Sequence, residues 1–173
     1  MEKVVFLDRD GVINEKAPEH EYVTEWGKFR FLPDAAEGIK KLNGAGYRIV
    51  IVSNQRGVAR GLMTAEQVDE IHRRMCAELE KCGAHIDDIY VCPHGEGECS
   101  CRKPEIGLFL MAERKFAVDK SASWMIGDSE SDVEAGRRYG VRTVLVRNDG
   151  DFGGARADGL LAAAEYIIRE DGK

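Results

Sequence analysis

The sequence has no excess of positive charge: 25 Lys and Arg face 31 Asp and Glu, a formal net charge of −6. That balance argues against a nucleic-acid or membrane surface as the main partner. No uninterrupted apolar run approaches the roughly 20 residues that a bilayer span needs. Met1-Glu2-Lys3 leads straight into Val4-Val5-Phe6-Leu7, leaving no room for a signal peptide, so the expected compartment is the cytoplasm. No repeat, low-complexity tract or linker interrupts the chain, so one domain is expected over residues 1–173. The stretches after Asn14 and before Thr64 are too short for an inserted cap domain. With no long apolar segment asking for cover, a monomer is expected.

What is present alternates. Short apolar runs at Val4–Leu7, Tyr47–Ser53, Ile89–Cys92, Ser123–Ile126 and Thr143–Val146 read as strands buried on both faces. Helical patterns lie between them, at about Pro33–Asn43, Thr64–Lys81, Pro104–Phe116, Ser131–Tyr139 and Asp158–Arg169. Thr64 and Gln67 have capping-box spacing, and Gly83 and Gly140 follow helix ends. Strand–helix alternation predicts a three-layer, Rossmann-like α/β domain: a mainly parallel sheet of about five strands with helices on both faces.

Four polar clusters follow apolar runs or open helices. Asp8-Arg9-Asp10-Gly11 ends the first run, and residues at i and i+2 leave a strand on one face, so Asp8 and Asp10 can work on one substrate. Ser53-Asn54-Gln55-Arg56, with Arg60 beyond, offers a hydroxyl, amides and two guanidinium groups suited to phosphate oxygens. Arg102-Lys103 sits before Pro104, where a helix N-terminus would add to the positive potential. Gly127-Asp128-Ser129-Glu130-Ser131-Asp132 puts an acid at another strand tip. Alone, each has a plainer reading as strand-end acids, a polar loop, surface cations or helix caps. In a doubly wound sheet, however, ligands bind outside the strands' carboxyl ends. If the first strand neighbours the one ending at Asp128, then Asp8, Asp10 and Asp128 converge there and call for a divalent cation. Cations facing such an acidic cradle are what phosphoryl transfer needs.

Together, DxDG, Ser-Asn-Gln, Arg-Lys-Pro and GDxxxD resemble the haloacid dehalogenase superfamily of phosphatases. Phe6-Leu7-Asp8-Arg9-Asp10-Gly11, Asn-Gln-x-Gly-x-Ala-Arg-Gly and Cys-x-Cys-Arg-Lys-Pro narrow the resemblance, over Val4 to Arg147. They are similar to D-glycero-D-manno-heptose-1,7-bisphosphate 7-phosphatases and the related histidinol phosphatases. The resemblance implies an Asp8 nucleophile that forms an aspartyl-phosphate, and an Asp10 that protonates the leaving oxygen and then activates water. Such a proton donor needs a raised pKa. It further implies Ser53 and Lys103 on the transferring phosphoryl group, Arg102 on the substrate, and Mg²⁺ on Asp8, the Asp10 carbonyl and Asp128. The expected substrate is a small phosphorylated sugar, heptose 1,7-bisphosphate losing its 7-phosphate. Histidinol phosphate and a 3′-phosphorylated polynucleotide are enzymatic alternatives; a catalytically inactive zinc-organised binding module is the alternative of another class.

Cys92, His94, Cys99 and Cys101 offer three thiols and an imidazole, a set expected to hold structural Zn²⁺ in the 92–101 loop. CxHx₄CxC matches the zinc loop of the same phosphatases. Two departures bear on substrate choice: this loop is short, and Ser129 stands where the heptose enzymes often carry lysine. Asp132 is expected to support the Asp128 loop, and His20 to border the substrate at most. His72 and His85 read as surface or helix-end residues, Trp26, Phe29 and Phe31 as packing. Cys76 and Cys82 have no ligand partners in sequence.

Overall fold

Every strand of the sheet is parallel to its neighbours, and strand order reverses beside the first one. The computed structural model describes residues 1–172. Its strands are β1 (Val4–Leu7), β2 (Arg48–Asn54), β3 (Asp88–Cys92), β4 (Trp124–Gly127), β5 (Arg142–Val146) and β6 (Ala155–Ala157). They lie in the order β3-β2-β1-β4-β5-β6. The helices are α1 (Ala35–Gly44), α2 (Ala65–Lys81), α3 (Gly107–Glu113), α4 (Glu130–Tyr139) and α5 (Leu160–Asp171).

β1 is buried throughout and splits its side chains between two cores, as period-2 alternation requires. Val5 and Leu7 join Ile39, Ile71, Met75 and Ile167 on the face covered by α1, α2 and α5. Val4 and Phe6 join Leu108, Phe109, Ala135 and Tyr139 under α3 and α4. There Phe6, Phe109 and Tyr139 pack with ring centroids 4.8 to 5.6 Å apart. Contacts of this kind add roughly 0.5–1.5 kcal/mol per pair beyond area burial. Thr64 and Gln67 form the capping box at the start of α2. Among the described residues no helix is long and apolar enough to cross a membrane.

The result is a single α/β domain, with two departures from expectation. The sheet has six strands, not five: β6 pairs with β5 from Val144↔Ala155 to Val146↔Ala157. Its three residues follow a Gly- and Asp-rich stretch and carry no apolar run to announce them. The third helix begins at Gly107, not Pro104, because a turn intervenes in which the Glu105 amide donates to the Arg102 carbonyl at 2.8 Å. Arg102 and Lys103 therefore do not abut a helix N-terminus.

Candidate active site at the carboxyl end of the sheet

The pairing of β1 with β4 sets Leu7 opposite Ile126. The next amide, that of Asp8, donates to the Ile126 carbonyl at 3.0 Å, so Asp8 and Asp128 emerge side by side where strand order reverses. Gly11 makes this approach possible. Its φ of +83° is open to glycine, and a Cβ there would lie 2.2 Å from Asp128 Oδ2. Gly127 is similarly confined: a Cβ would lie 2.1 Å from the Asp132 Cβ.

Lys103, 3% exposed, reaches into this group from the loop after β3. Its Nζ lies 2.9 Å from Asp8 Oδ1 and 2.6 Å from Asp132 Oδ1. Burial lowers the lysine's pKa, but Asp132 and Asp8 outweigh it and keep the ammonium charged. Burial pushes the Asp8 carboxyl up to about 7, helped by Asp132, Asp128 and Asp10 and opposed by Lys103. Asn54 locks Lys103's backbone in place: its Oδ1 accepts from the Lys103 amide at 3.0 Å and its Nδ2 donates to the Lys103 carbonyl at 3.2 Å.

Asp132 Oδ2 accepts from the Asp128 and Ser129 amides at 3.1 Å each and from Ser129 Oγ at 2.7 Å. It thus caps α4 and fixes the loop that presents Asp128. Asn148 Nδ2 adds a bond to the Asp128 carbonyl at 2.7 Å. Asp128 Oδ2 pairs with Lys16 Nζ at 2.9 Å, whereas its Oδ1 is buried with no hydrogen-bond partner among the described residues. Burial raises the Asp128 pKa, with Lys16 opposing. For Lys16, burial alone would lower the pKa, but the bond to Asp128 and the acids around it raise it.

Asp10 behaves differently from the expectation of a raised pKa. Burial does push it up, but Arg9 and bonds from Asn14 and Gln55 outweigh that and hold it below the usual carboxylate range. Arg9 Nη2 lies 2.9 and 3.1 Å from its two oxygens, and Asn14 Nδ2 and Gln55 Nε2 each donate at 2.9 Å. Arg9 is fully buried, and its Nη1 donates to His72 Nε2 at 3.1 Å. His72 is therefore a buried acceptor, not a surface histidine. Burial, with Arg9 beside it, drives its pKa down to about 3.

These groups floor a cleft of about 460 Å³, whose walls include Arg56, Arg60, Arg102, Ser129, His20 and Tyr22. The Arg60 guanidinium lies 5.9 Å from the Tyr22 ring centroid. Arg102 Nη1 is buried without a partner among the described residues. Ser53 is completely buried, accepts from Gln55 Nε2 at 2.9 Å, and is not part of the cleft wall.

Two donor sets fit metals. One oxygen each of Asp8, Asp128 and Asp132 lie within 4.8 Å of one another. Three hard carboxylate oxygens so close together suit Mg²⁺. In the 92–101 loop, Cys92 Sγ lies 3.6 Å from His94 Nδ1 and 3.5 Å from Cys99 Sγ. Cys101 Sγ lies 3.4 Å from His94 Nδ1 and 3.3 Å from Cys99 Sγ. A tetrahedral Zn²⁺ site has ligand–ligand edges of about 3.5–3.8 Å, given Zn–S of about 2.3 Å and Zn–N of about 2.0 Å. The observed edges approach that size and are far longer than a disulfide bond of about 2.05 Å.

A family model described as HAD-hydrolase-like matches residues 100–169. A D-glycero-beta-D-manno-heptose-1,7-bisphosphate 7-phosphatase of Rhodopseudomonas palustris is 44% identical over 144 residues, covering 79% of this chain and 78% of that one. The chain belongs to the heptose-1,7-bisphosphate 7-phosphatase family. A relative in Mycobacterium bovis is named for the alpha anomer and is 40% identical over 162 residues, covering 92% of this chain and 84% of its own. The crystal structure of a B. bronchiseptica D,D-heptose 1,7-bisphosphate phosphatase, complexed with magnesium and phosphate, superposes with a TM-score of 0.89. It is 32% identical and covers 97% of this chain and 99% of that one. As a member of this family the chain is a phosphatase.

Within this heptose bisphosphatase-family cleft, the sequence candidates Asp8, Asp10, Asn54, Gln55, Arg56, Arg60, Arg102, Lys103, Asp128 and Ser129 come together. The sequence alone does not single out Asn148 or Lys16, gives Arg9 no role of its own, and reads His72 as a surface or helix-end residue. A signal for His72 was present, since Val68, Ile71, His72, Met75 and Leu79 share the buried stripe of α2. Lys16 carried none: its partner is 112 positions away.

Proposed function

We propose that this phosphatase removes the 7-phosphate of a D-glycero-D-manno-heptose 1,7-bisphosphate by way of an aspartyl-phosphate on Asp8. The observation that carries this reading is Lys103, held between Asp8 and Asp132 beside Asp128 at the sheet's switch point. The Asp8 carboxylate attacks phosphorus, and the bond to the sugar oxygen breaks in line. Lys103 offsets charge on the phosphoryl oxygens while keeping Asp8 oriented. Asp10 gives the departing sugar oxygen its proton. Arg9, Asn14 and Gln55 hold it ionised in the free protein, so the proton it passes on is taken up from solvent as the charge of an entering phosphate raises its pKa. The Asp10 carboxylate then takes a proton from water, which attacks the acyl-phosphate and frees Asp8.

Asp8, the Asp10 carbonyl and Asp128 would hold Mg²⁺, which when bound supplies positive charge to the phosphoryl oxygens. Ser53 acts through Gln55, because its hydroxyl is buried away from the cleft. Arg102, Arg56 and Arg60 receive the rest of the substrate, with Asn54 and Ser129 shaping the wall. Cys92, His94, Cys99 and Cys101 would hold a structural Zn²⁺ that orders the loop leading into Arg102-Lys103. We place the enzyme in the cytoplasm, since thiols clustered without a disulfide suit a reducing compartment.

The test compares kcat/KM for phosphate release from both anomers of the heptose bisphosphate with that from histidinol phosphate, with Mg²⁺ present. A preference of about a hundredfold for one anomer, roughly 2.7 kcal/mol in the transition state, supports the reading. Equal rates on all three, or activity surviving Asp8→Asn, would overturn it.

A further inference from the structure

Lys16 is mostly exposed, yet its ammonium is tied to a carboxylate 112 positions away. Its backbone base is firmly placed. The Glu15 amide donates to the Arg30 carbonyl at 2.8 Å, the Leu32 amide donates to the Ile13 carbonyl at 2.9 Å, and Asn14 bonds Asp10. From that base the lysine stem crosses the cleft wall and sets Nζ 2.9 Å from Asp128 Oδ2, with 60% of the side chain open to solvent.

The two lysines at these acids have different freedom. Lys103 is 1% exposed at its side chain and already bridges Asp8 and Asp132. It has no room to follow a ligand. Lys16 pairs with the remaining acid, Asp128, through a flexible stem in the cleft itself. Only the lysine end of this pair is exposed, Asp128 being 10% exposed at its side chain, so the ammonium can swing towards another anion while the carboxylate stays in place.

We propose that Lys16 is an oxyanion-binding residue: it neutralises part of Asp128's charge and also contacts an oxygen of a phosphate entering the cleft. The proposal rests on the reading above only in taking the cleft to be a phosphate site. It makes opposite demands on two ligands. Removing the ammonium deepens the negative potential for a metal cation but deprives a phosphate of a donor. A merely structural lysine, holding Asp128 in place, would weaken both when removed.

The experiment is calorimetric titration of the full-length wild type, Lys16→Met and Lys16→Arg. Each receives Mg²⁺ alone, then inorganic phosphate in saturating Mg²⁺. In Lys16→Met phosphate should bind about tenfold more weakly, the loss of one charge-assisted hydrogen bond, with Mg²⁺ bound at least as tightly as in wild type. Lys16→Arg should restore phosphate binding to within about threefold. Phosphate affinity unchanged in Lys16→Met, or Mg²⁺ affinity falling alongside it, would overturn the role of Lys16 alone. A wild-type protein that binds no phosphate in Mg²⁺ would overturn the phosphate-site reading as well.

Discussion

Replacing Lys103 by methionine should uncouple the stability of the site from its chemistry in a measurable way. The ammonium is buried and pairs with Asp8 at 2.9 Å and Asp132 at 2.6 Å. Removing one partner from a buried ion pair typically costs about 3–5 kcal/mol, because the charge left behind is unsolvated. Here one escape is open. Asp8 already has a pKa of about 7, so without Lys103 it can bind a proton instead of remaining charged. The loss should therefore sit near the lower end, about 3 kcal/mol, or roughly 6–12 °C in Tm for a chain of this length. Activity should fall further, by about 10²–10³ in kcat, since a donor aimed at the reacting phosphoryl group is gone. The second variant, Lys103→Met with Asp132→Asn, removes the stranded charge and leaves an amide oxygen to accept from the Asp128 and Ser129 amides. It should regain a large part of the lost Tm but none of the kcat. The assay is differential scanning calorimetry at pH 7.5 in a metal chelator, with kcat for all four corners of the cycle in Mg²⁺. The reasoning fails if Lys103→Met melts within about 2 °C of wild type, less than 1 kcal/mol. It also fails if the two substitutions add without coupling.

Three further outcomes are expected. His72 is held neutral, with a folded pKa of about 3 against an ordinary value of 6.5. Its contribution is therefore complete above pH 6.5 and is lost as pH falls towards 3, by up to about 3–5 kcal/mol. In His72→Gln, which still offers Arg9 an acceptor, Tm should fall less steeply over that window, and an unchanged slope would count against the buried neutral imidazole. A tight zinc chelator should lower Tm and activity together, and added Zn²⁺ but not Mg²⁺ should restore both; indifference to the chelator would show that the thiol cluster holds no structural metal. Gly11→Ala places a Cβ 2.2 Å from Asp128 Oδ2 at a φ of +83°. The backbone penalty of about 1–2 kcal/mol should be accompanied by at least a tenfold loss of Mg²⁺ affinity, read by calorimetry, as Asp128 is displaced.

Much of this architecture was legible because strands buried on both faces write themselves as short apolar runs. Val4–Leu7 matches β1 at both ends, and the acids after it follow from where the run stops. The misses have separate physical causes. Ala155-Arg156-Ala157 forms β6 by completing an edge next to β5, a tertiary effect that three residues cannot announce. Pro104 reads locally as a helix opener, but the chain turns before α3 starts at Gly107. Asp10 was read as one of two acids on the same strand face, which is correct only while the strand continues. Beyond Leu7 the chain turns through Gly11, with the Gly11 amide donating to the Asn14 carbonyl at 2.8 Å. Arg9 can then fold back onto its own neighbour. The same turn sets Asn14 against Asp10, and Gln55 just past β2 adds a donor from a distance, so Arg9 and Asn14 together with one long-range contact reverse the expected pKa shift.

The pairing pattern around the cleft also bears on the order of binding. Four carboxylates meet there, and each has a cation assigned: Arg9 to Asp10, Lys103 to Asp8 and Asp132, Lys16 to Asp128. With all four acids ionised, these paired groups by themselves leave one net negative charge at the point where a phosphate dianion must arrive. Arg56, Arg60 and Arg102 on the wall oppose that charge, but among the described residues none of them is ion-paired with these four acids. A divalent cation held by Asp8 and Asp128 would change that sign before any phosphate contact forms. Phosphate affinity should therefore depend steeply on Mg²⁺, while Mg²⁺ affinity survives without phosphate. If the acids at the tips of β1 and β4 hold the metal as proposed, they would be a metal site first and a phosphate site only once charge is balanced.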